Sequence, residues 1–223
     1  KKTFILLFVA ALGAGTMSSC KKSNKGKLSG EWKLASFEMT ETYTSGSPSV
    51  TDTDVMSSTD GAAITATSSS TASGSTTSTS TGVINTATWT IVKDGTWTMV
   101  MDMTFSGSET GYTWSSQSVE TTTGTWSFVG KNKTEDLKRN ERVIFNTLTS
   151  ASSSTDTFTP TGGTASTSTS SSTGSWATGD NAATYLITES KGKSLIMTQE
   201  GVSAWSNTSG DPAVTSTSSS TSM

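Results

Sequence analysis

The side chains equipped for covalent or proton-transfer chemistry are few. Cys20 is the single thiol of the 223-residue chain, and there is no histidine. Neither a Ser–His nor a Cys–His pair can therefore be assembled. The commonest zinc ligand and the usual switch near neutral pH are missing with it. Carboxylates of the type that work in pairs on glycosidic bonds are present as Glu31, Glu38, Asp102, Glu109 and Glu120. Their spacing singles out no pair. The glycines punctuate turns and form no phosphate-cradling loop. No catalytic residue, metal ligand or cofactor is expected, and the chain reads as a non-enzyme. A net charge of −3 and a pI near 5.0 give no basic stripe for nucleic acid.

Non-covalent chemistry is better supplied. Over residues 96–105, Trp97, Met99, Met101, Met103 and Phe105 alternate with Thr96, Thr98, Val100, Asp102 and Thr104. That period of two is the mark of a strand with one buried face. Trp89 precedes it across a Lys93-Asp94-Gly95 turn, and Trp126 and Phe128 alternate further on. Thioethers and aromatic rings suit an adaptable ligand surface, so Trp89, Trp97, Met99, Met101, Trp126 and Phe128 are the candidate ligand-binding residues. A small hydrophobic molecule or a glycan is the expected ligand. The same six side chains would equally fill the interior of a small barrel.

Cys20 has a telling context. Lys1 and Lys2 precede the apolar run Phe4-Ile5-Leu6-Leu7-Phe8-Val9-Ala10-Ala11-Leu12, and small residues lead to Ser18-Ser19-Cys20. A basic start, a short apolar stretch and a small-residue exit describe a secretory leader. The run is shorter than the roughly 20 residues of a permanent membrane helix. The segment resembles a bacterial lipoprotein lipobox, with Met17 where leucine is usual. The resemblance implies a diacylglycerol on the Cys20 thiol and a membrane as partner through that lipid. Residues 21–27, KKSNKGK, then read as a solvated tether.

Strands are expected at about 30–40, 86–92, 96–105, 109–121, 124–129, 142–149, 183–189 and 193–199. Phe37 and Met39 leave the alternation of Trp32 and Leu34, which predicts a bulge near Ala35. Sequential hairpins of this kind make an antiparallel meander, and eight strands suffice to close a barrel. An open sandwich is the competing geometry. The chain is 31% hydrophobic and 15% charged, well below an ordinary globular domain. The deficit lies in Ser/Thr tracts without periodicity, which read as disordered insertions. The predicted organisation is a signal peptide at 1–19, a tether at 20–27 and one barrel domain at 28–205. Low-complexity insertions fall at about 45–82 and 150–181, and a disordered tail at 206–223.

Gly-x-Trp occurs at Gly30–Trp32, Gly95–Trp97, Gly124–Trp126 and Gly174–Trp176. The first, opening the first strand after a short tether, resembles the lipocalin signature. With the lipobox, the Asp94-Gly95-Thr96 turn and the terminal Tyr185-x-Ile187…Leu195-x-Met197 hairpin, the chain resembles the lipocalin-like lipoproteins of Bacteroidota. The resemblance implies an all-β, up-and-down barrel with Gly30 and Trp32 in structural roles, Trp32 closing its base. It also implies a monomer held at the outer membrane of the cell envelope by the Cys20 lipid. A surface protein acting through its Ser/Thr-rich loops, with a filled barrel and no ligand, is the other expectation.

Overall fold

The computed structural model describes residues 2–10, 28–45, 50–71, 77–131, 141–191, 194–201 and 217–218. Cys20, the tether, the charged connection 132–140 and most of the tail lie outside the described residues. The elements are all strands. They are β1 (Lys2–Ala10), β2 (Gly30–Ser45), β3 (Val50–Ser58), β4 (Ala63–Ser70), β5 (Thr77–Ile91) and β6 (Thr96–Glu109). They continue as β7 (Tyr112–Lys131), β8 (Glu141–Pro160), β9 (Ser166–Ser175), β10 (Ala182–Lys191), β11 (Ser194–Gly201) and β12 (Thr217–Ser218). All belong to one antiparallel sheet, in the order β1-β11-β10-β8-β7-β6-β5-β4-β3-β2-β12, with β9 on β8.

The β5–β6 hairpin forms as its alternation predicts. Gly95 takes a φ of 96° in the turn, which a side chain would resist. Asp94 holds the turn by accepting from the Thr96 amide at 2.8 Å and the Thr96 hydroxyl at 2.7 Å. Met99, Met101, Met103 and Phe105 pack against the buried core from β6, and Asp102 stands on the other face. There its carboxylate accepts from Asn85 Nδ2 at 2.9 Å and Gln117 Nε2 at 3.0 Å. The expected bulge is present too: Leu7 pairs with Ser36 and Phe8 with Leu34, leaving Ala35 over.

The Ser/Thr tracts are the main correction. The expected disordered insertions are largely strand: β3, β4 and the first half of β5, then the second half of β8 and all of β9. Composition pointed to disorder because these segments have few apolar residues to bury. They need few: Ile64 of β4 enters the core and Met56 of β3 packs on it, and the rest extends a ladder that the apolar segments have already started. β-branched threonine favours the extended backbone, and facing hydroxyls pair across strands. Ser152 meets Ser172 at 2.8 Å, and Ser154 meets Ser170 at 2.9 Å. Further differences follow from the same extension. The turn expected at 106–108 lies instead at Thr110-Gly111, and the strands expected at 109–121 and 124–129 are the single β7.

The sheet therefore has two zones along its strands. β2 pairs directly with β5 only from Gly30 to Lys33. Beyond that point the β3–β4 hairpin is inserted between them. β8 divides its edge likewise, giving residues 141–146 to β10 and 149–158 to β9. The apolar residues gather at the Gly30 end and the hydroxyls at the other. Each large side chain buried there contributes about 1.5–3 kcal/mol.

Asp60 turns the β3–β4 hairpin much as Asp94 turns β5–β6, its Oδ1 accepting from the Ala62 and Ala63 amides, both at 2.9 Å. These bonds favour the ionised form and hold both carboxyls below their ordinary 3.8: the Thr96 hydroxyl and amide act on Asp94, the Ala62 and Ala63 amides on Asp60. The stabilisation is thus present above pH 3.8 and is lost as pH falls through the lowered folded value. Thermal melts should show Asp94→Ala less stable than the parent at pH 7, with the gap closing below pH 3.8. A gap that is independent of pH would contradict the turn's dependence on the carboxylate.

Candidate functional site

The six residues singled out from the sequence share one face and lie in or against one cluster. Trp89, Trp97 and Trp126 are buried in it, at 3%, 5% and 8% exposure, while Met99, Met101 and Phe128 are half-buried against it. Register explains the gathering. Trp32 pairs with Trp89, Trp89 with Met99, Ile91 with Trp97, Trp126 with Phe145 and Phe128 with Val143. All lie in the Gly30 zone.

Two residues outside those six complete the cluster. Phe145 lies against Trp89 with ring centroids 4.3 Å apart, and Tyr185 stands 6.2 Å from Trp89 and 5.7 Å from Phe145. Trp97 meets Trp89 edge-on at 5.6 Å and Phe145 at 5.7 Å. These separations favour the edge and offset geometries that aromatic quadrupoles prefer. They also require curvature. Trp89 and Phe145 sit on strands three places apart, which a flat sheet would hold about 14 Å apart at ~4.8 Å per strand. The sheet therefore curls around the rings.

Three indole N–H groups donate to main-chain carbonyls around the cluster. Trp126 Nε1 donates to the Val92 carbonyl at 2.7 Å, Trp97 Nε1 to Thr125 at 3.0 Å and Trp32 Nε1 to Leu28 at 2.8 Å. Trp32 is itself buried beside the fully buried Leu28. Burial among the rings pushes the Tyr185 phenol up to about 12. The cluster offers apolar contact and close packing.

Two open grooves lie instead in the hydroxyl-rich zone. One, of about 290 Å³, is lined by Trp114, Asp156, Phe158 and neighbouring Ser and Thr residues of β7, β8 and β9. The other, of about 360 Å³, is lined by Met39, Asp54, Val55, Met56, Ala66, Thr67 and Ser68. Its one carboxylate, Asp54, already accepts from Ser68 at 2.6 Å. The sequence did show the Tyr112-x-Trp114 alternation, but Phe158 was hidden in a tract that reads as featureless. Among the described residues no three His, Cys, Asp or Glu side chains are grouped to hold a metal, and no helix is long and apolar enough to cross a membrane. Comparison with known protein families, curated proteins and solved structures finds no match.

Two measurements check the cluster. Trp126→Phe keeps an aromatic ring but removes the N–H, leaving the Val92 carbonyl to the Gly95 amide alone, and should cost about 0.5–1.5 kcal/mol in urea unfolding. An unchanged unfolding midpoint would show that the N–H bond contributes nothing. In an alkaline absorbance titration, one phenol should ionise only near pH 12 and vanish in Tyr185→Phe. The raised value means that the stabilisation is complete below pH 10 and lost between 10 and 12, so the parent should lose stability relative to Tyr185→Phe in that window.

Proposed function

We propose that the chain is a lipid-anchored protein of the bacterial outer membrane, with a lipocalin-like barrel filled by its own side chains. Its Ser/Thr-rich zone is the part that makes contacts. One observation carries the filled barrel: Trp89, Trp97, Phe145 and Tyr185 pack on one another within 4.3 to 6.2 Å, where an internal ligand would have to sit. Closure of the barrel is supported by the circuit of pairings. It runs β2–β5–β6–β7–β8–β10–β11 and returns to β2 through β1.

β1 falls on the residues read as the leader, and the two roles make opposite demands. A strand with one wet face asks for a polar residue at every second position. Residues 4–10, FILLFVA, supply none, whereas a leader asks for just such a run. Processing before Cys20 would leave β2 and β11 as the two edges. Closure of the processed barrel then requires β2 and β11 to pair directly, bringing together Leu34, Phe37, Leu195 and Met197, which are buried here on the two strands that β1 pairs with. Two or three acyl chains on Cys20, at ~0.8 kcal/mol per buried CH₂, give durable anchoring where one chain does not.

Intact mass of the protein extracted from membranes should correspond to a chain starting at an acylated Cys20. The Cys20→Ala variant should move to the soluble fraction. Recovery of residues 2–10 in the mature protein, or membrane fractionation unchanged by Cys20→Ala, would overturn the anchor.

A further inference from the structure

We propose that the groove of about 290 Å³ across β7, β8 and β9 is a saccharide-binding site. It lies at the opposite end of the sheet from the aromatic cluster, and it stands whether or not the chain is anchored.

The register lays out its floor as a grid on one face of the sheet. Trp114 pairs with Phe158 and Phe158 with Ser166; two residues along, Ser116 pairs with Asp156 and Asp156 with Ser168. One row is thus led by aromatic rings and the next is a carboxylate between hydroxyls. A Cβ on Gly107 would meet Trp114 Nε1, Cε2 and Cζ2 at 2.7, 2.8 and 2.9 Å. Three ring atoms at nearly equal distance mean that the indole lies flat over the glycine. One of its faces is thereby supported by backbone, and the ring borders the groove. Phe158 is 42% exposed and is steadied by Tyr112, with ring centroids 4.7 Å apart. Tyr112 is in turn held by its hydroxyl donating to Glu109 at 2.6 Å.

A pyranose presents an apolar C–H face and a rim of hydroxyls. The rings match the face, and Asp156 with Ser116, Ser166 and Ser168 matches the rim. Asp156 is also available: among the described residues it makes no hydrogen bond or ion pair, whereas Asp54, Asp102 and Glu120 are each committed to neighbours. A purely apolar ligand would desolvate that carboxylate without replacing its bonds, at a cost of about 1–3 kcal/mol or more. A lone carboxylate is also too few ligands for a hard cation, which takes six or more oxygens. The volume is at the lower limit of small-molecule sites, roughly 300 Å³. The floor is a sheet surface rather than an enclosure. That shape fits a short segment of a glycan chain crossing the strands.

The test titrates the full chain, kept soluble in detergent, with maltohexaose, cellohexaose, chitohexaose and mannohexaose, followed by calorimetry and tryptophan fluorescence. At least one should bind and change the emission. Asp156→Asn preserves shape, and Phe158→Ala trims an exposed ring, so neither threatens the fold. Each should weaken binding about tenfold or more, the loss of one charge-assisted bond or stacking contact. Tyr185→Phe, in the distant cluster, should leave binding unchanged. No binding of any of the four at millimolar concentration overturns the site, as does binding that both groove variants leave intact. Membrane fractionation of the same variants stays that of the parent, which separates failure here from failure of the anchor.

Discussion

Trp89 touches rings contributed by β6, β8 and β10, and that single set of contacts can form only if the sheet bends around it. The residues that meet there are far apart in sequence, so neither local propensity nor hairpin formation can bring them together. Hydrophobic burial supplies the drive, and the ring geometry sets how tightly the strands wrap. The indole donors of Trp32, Trp97 and Trp126 then tie the perimeter of the cluster to the main-chain carbonyls of Leu28, Thr125 and Val92. A buried N–H left without an acceptor would cost about as much as a good contact provides. For these three rings, a donor placed at the rim removes that cost.

The hydroxyl-rich zone obeys different physics. It has few apolar side chains to bury, and the backbone ladder and hydroxyl pairs such as Ser152–Ser172 and Thr123–Thr149 replace them. Each such pair contributes a fraction of a kcal/mol to about 1 kcal/mol, so no one of them matters alone. The zone is ordered because it continues strands that are pinned elsewhere. Its few aromatic residues stand out for that reason: Trp114 and Phe158 are not needed to fill a core, and they end up at a groove.

What could be read from the sequence follows this division. The β5–β6 hairpin, the methionine stripe, the Ala35 bulge and the terminal hairpin were legible because each declares itself within a dozen residues by alternation or by its turn. The Ser/Thr strands were not, since their order is lent by neighbours. Asp60-Gly61 did carry a turn signal, but in a tract without apolar alternation it had nothing to punctuate. The later Gly-x-Trp steps have separate local causes. Gly95 serves a turn, Gly124 is crowded by the Asn146 carbonyl and the Trp97 indole, and Gly174 lies under Trp176. The six candidate residues were correctly grouped on one face. Phe145 and Tyr185 were missed as their companions because that contact depends on the curl. The Trp114–Phe158 pairing depends on a register spanning more than forty residues, which no local pattern encodes.

The length of β7 and β8 has a mechanical meaning. Both run from the Trp126–Phe145 end, near the start of β2, to the Trp114–Phe158 tip. A pull applied between those two ends is directed along the strands. The ladder bonds lie across that direction, so they are loaded together in shear and cannot be unzipped one after another. A protein held at one end and gripping something at the other would gain from that geometry a resistance to force well beyond what its thin apolar core suggests.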